Sequence, residues 1–301
     1  MLDTHTQFSH EQDDHASERG QAWSRLLLPG VLILVILALL YRDILRALVA
    51  QWWDDPNYSH GFLVPLFSGF LLWQGRHGLR GLVPRGTQVG LAVLLIGIAA
   101  LLLGDLGAEN FLMRSSLLVI IAGLVLFHLG PQIFRAILFP LAFLLFMIPL
   151  PATLFYAITF PLQSLAASQA ATILDWMGIP VLLDGNVIHL SQISLGVTEA
   201  CSGIRSLISL VAGAVAWAYL ALPRGWMAVL FVATALPVTI IANVARVVMT
   251  GIIGQQFGVE YASGFFHEFA GWGIYLFAFA CLLGLHTLIQ SMARVRFRRA
   301  Q

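Results

Sequence analysis

Eight blocks of apolar residues dominate this chain, at 26–50, 60–74, 87–104, 112–130, 133–150, 202–221, 226–253 and 267–290. Most are close to the roughly 20 residues that a helix needs to cross hydrocarbon, and the second is the shortest. Composition agrees: 59% of residues are hydrophobic and 10% are charged, against roughly 25% charged in a soluble domain. The expected fold is an all-α polytopic integral membrane protein with about eight transmembrane helices.

Arginine placement orients these blocks. Arg19 and Arg25 precede the first span, Arg76, Arg80 and Arg85 follow the second, Arg135 follows the fourth, and Arg224 lies between the sixth and seventh. Arg294, Arg296, Arg298 and Arg299 end the chain, while the alternate loops carry Asp54, Asp55, Asp105, Glu109, Asp175, Asp184, Glu199 and Glu260. The positive-inside rule then puts both termini in the cytoplasm and the acidic loops outside. Arg42 and Arg46 break the pattern, since they fall toward the outer end of the first span.

Three regions follow. Residues 1–24 form a polar tail with His5, His10 and His15, expected to be disordered and cytoplasmic, with no sign of a cleaved signal peptide. Residues 25–290 form the membrane domain, and 291–301 an Arg-rich cytoplasmic tail. A net charge of +1 calls for no nucleic acid. Two cysteines, Cys201 and Cys281, make no disulfide framework and no repeated metal-ligand spacing, so neither a metal nor an organic cofactor is expected.

The largest outward insert is 151–200. Residues 152–177 look helical, with polar positions at Thr159, Gln163, Ser164, Ser168, Gln169 and Thr172 that suit an interfacial or re-entrant helix. Next, Val181–Leu183 and Val187–Leu190 flank Asp184-Gly185-Asn186 and predict a small β-hairpin.

Polar residues at the outer ends of three consecutive spans carry the candidate chemistry. Cys201 sits in Glu199-Ala200-Cys201-Ser202-Gly203-Ile204-Arg205, where a polar stretch meets an apolar helix. A helix N-terminus favours a thiolate. Arg246 lies about 10–12 Å below the outer end of the seventh span if that span ends near residue 253. An arginine at that depth normally faces a partner or a wet cavity, and Asn243 shares its face one turn away. His267 opens the eighth span. Cysteine as nucleophile, histidine as proton carrier and a fixed cation as oxyanion stabiliser would make an acyl-transfer site. Plainer uses exist: Arg246 could snorkel to the interface, His267 could be an amphipathic surface residue, and Cys201 could be lipidated. Arg205 could bind a substrate carboxylate or pair with Glu199. Mid-span Cys281 reads as a small core residue.

These residues resemble the exosortase/archaeosortase family of membrane transpeptidases. The resemblance rests on Glu199 through Leu207, on Asn243 with Arg246, on His267, and on Asn57-Tyr58-Ser59-His60-Gly61-Phe62 and Gly185 through Leu190, and it covers about 25–290. It implies a cysteine-type peptidase of the bacterial inner membrane with its active site facing the periplasm. Its substrates would be exported proteins with a C-terminal sorting signal: a Pro-Glu-Pro-type motif, one transmembrane helix and an Arg-rich end. A lipid or polysaccharide acceptor is a candidate partner besides the bilayer itself. By the same resemblance Cys201 is the nucleophile, His267 the acid/base and Arg246 the stabiliser. Tyr58, Ser59 and His60 would line the substrate's entrance or cap a helix entry, and His60 and His189 are rival bases. Two other readings stand beside this one, a transporter or flippase for lipid-linked sugars and a scaffold for polysaccharide assembly. The grouping of polar residues toward one face, rather than at the midplane, disfavours transport.

Overall fold

The computed structural model describes residues 28–197, 203–223, 225–258, 273 and 276–287. Both tails, Glu199, Cys201 and His267 lie outside the described residues. The chain divides into two compact units, residues 1–151 and 152–301.

In the first unit, α1 (Leu28–Leu40) and α2 (Arg42–Asp54) meet at Tyr41 with a bend of 63°. A 3-10 turn (Ser59–Phe62) leads into α3 (Leu63–Arg80), followed by α4 (Val89–Leu106), α5 (Asn110–His128) and α6 (Pro131–Phe143). A second 3-10 turn (Leu144–Met147) closes the unit. Gly90, Gly97 and Gly104 recur every seven residues on the buried face of α4. They bring its backbone against α5 so closely that a Cβ on Gly97 would stand 2.9 Å from the Ile120 amide nitrogen. Small residues permit such approach where lipid supplies no hydrophobic drive between helices. Glu109 caps α5, its carboxylate accepting from the amides of Phe111 at 3.3 Å and Leu112 at 2.7 Å.

The second unit opens with α7 (Ala152–Trp176), then β1 (Val181–Asp184), β2 (Val187–Leu190) and β3 (Ser194–Gly196). The helices α8 (Ile204–Ala221), α9 (Trp226–Phe257) and α10 (Leu276–Thr287) follow. The hairpin falls where its turn residues predict, with Gly185 at positive φ as the first central residue. A third antiparallel strand, β3, extends it; its three residues are too few to signal a strand in sequence. One apolar core joins α7, the sheet and α9 through Ala167, Leu174, Ile188 and Val247. A second joins α8, α9 and α10 through Leu210, Phe231, Ala235 and Leu282.

Among the described residues, four helices are long and apolar enough to cross a membrane: α4, α5, α8 and α9. Counting α1 with α2 and α6 with α7 as broken spans raises this to six. The bend at Tyr41 accounts for the misfit of Arg42 and Arg46, which belong to α2 and not to the end of a straight span. Cys281, expected in the core, lies instead on an exposed face of α10.

Candidate functional site

In the second unit the described candidates gather on α9. Thr239, Asn243 and Val247, four residues apart, form one buried row, and Arg246, one turn from Asn243, is half-buried beside it. The helix runs to Phe257, one turn beyond the end expected from sequence, so Arg246 stands about 16 Å from its C-terminal end. At 32 residues, α9 is longer than hydrocarbon alone requires.

Against this row stands Gly203, the residue before α8, at φ +79°. A Cβ there would lie 3.0 Å from Asn243 Cγ and 3.1 Å from its Cβ. Glycine is demanded twice at this position, by the left-handed backbone and by the close approach. Leu162 and Ala166 of α7, Leu207 of α8 and Ile240 of α9 complete a small cavity beside the contact, with about 10 Å³ for water. That is room for roughly one molecule.

The chain at Val197 is also anchored. Gln163, buried on α7, accepts from Asn186 Nδ2 at 3.0 Å, and the Asn186 carbonyl accepts from the Val197 amide at 2.8 Å. The chain is therefore tied at Val197 through the hairpin turn to α7, and at Gly203 it is seated on α9. Sequence alone marks Gln163 as polar and Asn186 as a turn residue, but gives no sign that they meet. Arg205 is exposed on the first turn of α8. His189 Nδ1 lies 2.8 Å from its cross-strand neighbour Ser194 Oγ, at the exposed edge of the sheet.

Tyr58, Ser59 and His60 belong to the first unit, where Tyr58, His60 and Trp52 hold the chain that closes it. Trp52 Nε1 donates to the Met147 carbonyl at 2.8 Å, and the Leu150 amide donates to Tyr58 Oη at 3.3 Å. His60 Nε2 lies 3.1 Å from the Phe146 carbonyl, which can only accept, so Nε2 carries the proton. Ser59 Oγ donates to the Pro56 carbonyl at 3.2 Å, within its own turn. Burial pushes the His60 pKa down, opposed by the Phe146 and Asn57 carbonyls, and burial pushes the Tyr58 pKa up.

A residue not singled out from sequence lies nearby. Arg114, on α5, is buried and donates to Gln51 Oε1 at 2.7 Å. Its signal was available, since a buried arginine inside an apolar block is costly without a polar neighbour.

No metal-binding cluster of His, Cys, Asp or Glu occurs among the described residues. A polytopic helical membrane protein, with Thr239 and Asn243 buried on one long helix and a glycine before α8 seated against them, is the class that these elements define. The model of the transmembrane exosortases matches residues 52–284, and the chain belongs to that family. Searches of the curated proteins and of the solved structures return no match. Membership makes the chain an integral membrane protein of the sorting-transpeptidase type.

Proposed function

We propose that this protein is a membrane-embedded cysteine transpeptidase or endopeptidase that cleaves a C-terminal Pro-Glu-Pro-type sorting signal from exported proteins. Cys201 attacks the scissile carbonyl as thiolate, and a thioester forms as the amine leaves. His267 takes the thiol proton and returns it to that amine. Arg246 stabilises the oxyanion, a role that suits a cation charged at every working pH. Water or an acceptor amine or hydroxyl then resolves the thioester. Asn243 seats Gly203 and shares its helix face with Arg246.

The observation that carries this reading is the contact of Gly203 with Asn243. It joins the chain two residues after Cys201 to the α9 face one turn from Arg246. Family membership supplies the reaction class. The test is intact mass spectrometry of a sorting-signal substrate co-expressed with the wild type or with Cys201→Ala. Loss of the substrate's C-terminal helix only with the wild type supports the reading, and the mass of the new end tells hydrolysis from transfer. Equal processing by both forms overturns it.

A further inference from the structure

The elbow between α1 and α2 has features that sorting chemistry does not use. All thirteen residues of α1 are uncharged, whereas α2 carries Arg42, Asp43, Arg46, Gln51 and Asp54 among its leucines and tryptophans. If α1 stands along the membrane normal, a 63° bend lets the thirteen residues of α2 climb only about 9 Å. Added to the roughly 20 Å of α1, that climb just completes a crossing of about 30 Å, so α2 rises obliquely toward one interface and ends there at its paired tryptophans. Its inner face is occupied: Leu48 and Trp52 are buried in the first unit.

The outer face is an open groove of about 680 Å³, lined by Ala38, Arg42, Leu45, Arg46, Val49 and Trp53. Arg42 and Arg46 stand one turn apart with side chains 58% and 68% exposed. Asp43 is their ion-pair partner among the described residues, 3.3 Å from Arg42 Nε and 3.6 Å from Arg46 Nη1. Two guanidinium groups thus share one carboxylate, and one positive charge is left over. Asp54 also lines the groove, but two turns beyond Arg46. Around the arginines the floor is aliphatic, and Trp53 is 81% exposed. A cationic pair above an apolar floor, within snorkelling reach of the headgroups, complements a phosphate carried on an acyl chain.

We propose that this elbow is a binding site for an anionic phospholipid. Its phosphate is held by Arg42 and Arg46, and its chain lies along Leu45 and Val49 toward α1. The site anchors α2, and with it the clamp that Trp52 makes on Met147, to the membrane surface.

Trp53 reports on it directly. The full-length protein is reconstituted in phosphatidylcholine vesicles with either brominated phosphatidylglycerol or brominated phosphatidylcholine as the minor component. Quenching due to Trp53 is the difference between the wild type and Trp53→Phe. The site predicts roughly fivefold stronger quenching by the anionic lipid, the enrichment expected for one net positive charge. That preference falls to parity in Arg42→Gln/Arg46→Gln and rises in Asp43→Asn, which frees both guanidinium groups. Equal quenching by the two lipids in the wild type overturns the proposal. So does a preference that survives the double substitution. Asp43→Asn leaves both arginines and the apolar floor in place, so its rise in preference tests the site even if the double variant folds poorly.

Discussion

Gly203 meets Asn243 so closely that a Cβ on the glycine would stand 3.0 Å from the Asn243 Cγ, and the asparagine would have to give way. This contact spans 40 residues of sequence and seats the start of α8 on the polar row of α9. Gly203→Ala should therefore act twice, through a left-handed backbone that costs a non-glycine residue about 1–2 kcal/mol and through crowding of Asn243. Thermal unfolding in detergent should show a lower midpoint than the wild type. Gly203→Ala/Asn243→Ala should recover part of that loss, because it removes the crowding and leaves the backbone strain.

Arg246→Ala should insert and accumulate normally, yet reduce substrate processing by about 10²–10³-fold, the usual cost of losing one oxyanion donor. Arg246→Lys should recover only part of the rate, since a lysine ammonium lacks the planar fork of donors. Rates from single-turnover processing check both. A variant that processes at the wild-type rate would remove Arg246 from the chemistry.

The anchor on α7 gives a test with a distinctive sign. Asn186→Ala leaves Gln163 Oε1 buried without its 3.0 Å donor, at a cost of about 1–3 kcal/mol. Gln163→Leu/Asn186→Ala replaces both members of the pair and should be less destabilised than Asn186→Ala alone. Denaturant or thermal midpoints of these two variants and the wild type decide it, and a double variant no more stable than Asn186→Ala would contradict the anchor.

Burial lowers the His60 pKa below its ordinary value. The unfolded chain therefore binds a proton at His60 more readily than the folded one, so stability rises with pH across this range. The contribution is complete above the unfolded value near 6.5 and is lost as pH falls from there through the folded value. Between pH 7.5 and 5.5 the unfolding midpoint of the wild type should drop further than that of His60→Gln, which keeps a donor for the Phe146 carbonyl. Equal drops would remove His60 from the effect.

Much of this architecture is legible in the chain because long apolar runs and turn glycines act locally. The runs of α4, α5, α8 and α9 announce themselves by length, and Asp184-Gly185-Asn186 marks the hairpin. What escapes sequence is non-local. The bend at Tyr41 sits inside one continuous apolar block, where that residue is fully buried with its hydroxyl 2.6 Å from Ser116 Oγ, 75 residues away. The same holds for the clamp of Trp52, Tyr58 and His60 on residues 146–150. These partners lie 86 to 95 residues apart, and only their polar character is visible beforehand. Within the candidate site, Asn243 and Arg246 are readable as a pair because one helical turn joins them. The demand for Gly203 comes from a facing helix and is not.

Trapping the covalent intermediate tests the central claim most directly. Peptide mapping by mass spectrometry, after exposure of the full-length protein to a sorting-signal substrate, should find the substrate fragment attached to the peptide that contains Cys201. Hydroxylamine should release it as a thioester, and it should be absent from Cys201→Ala. Processing of the substrate by Cys201→Ala at the wild-type rate, with no adduct in either form, would contradict cysteine chemistry in this protein.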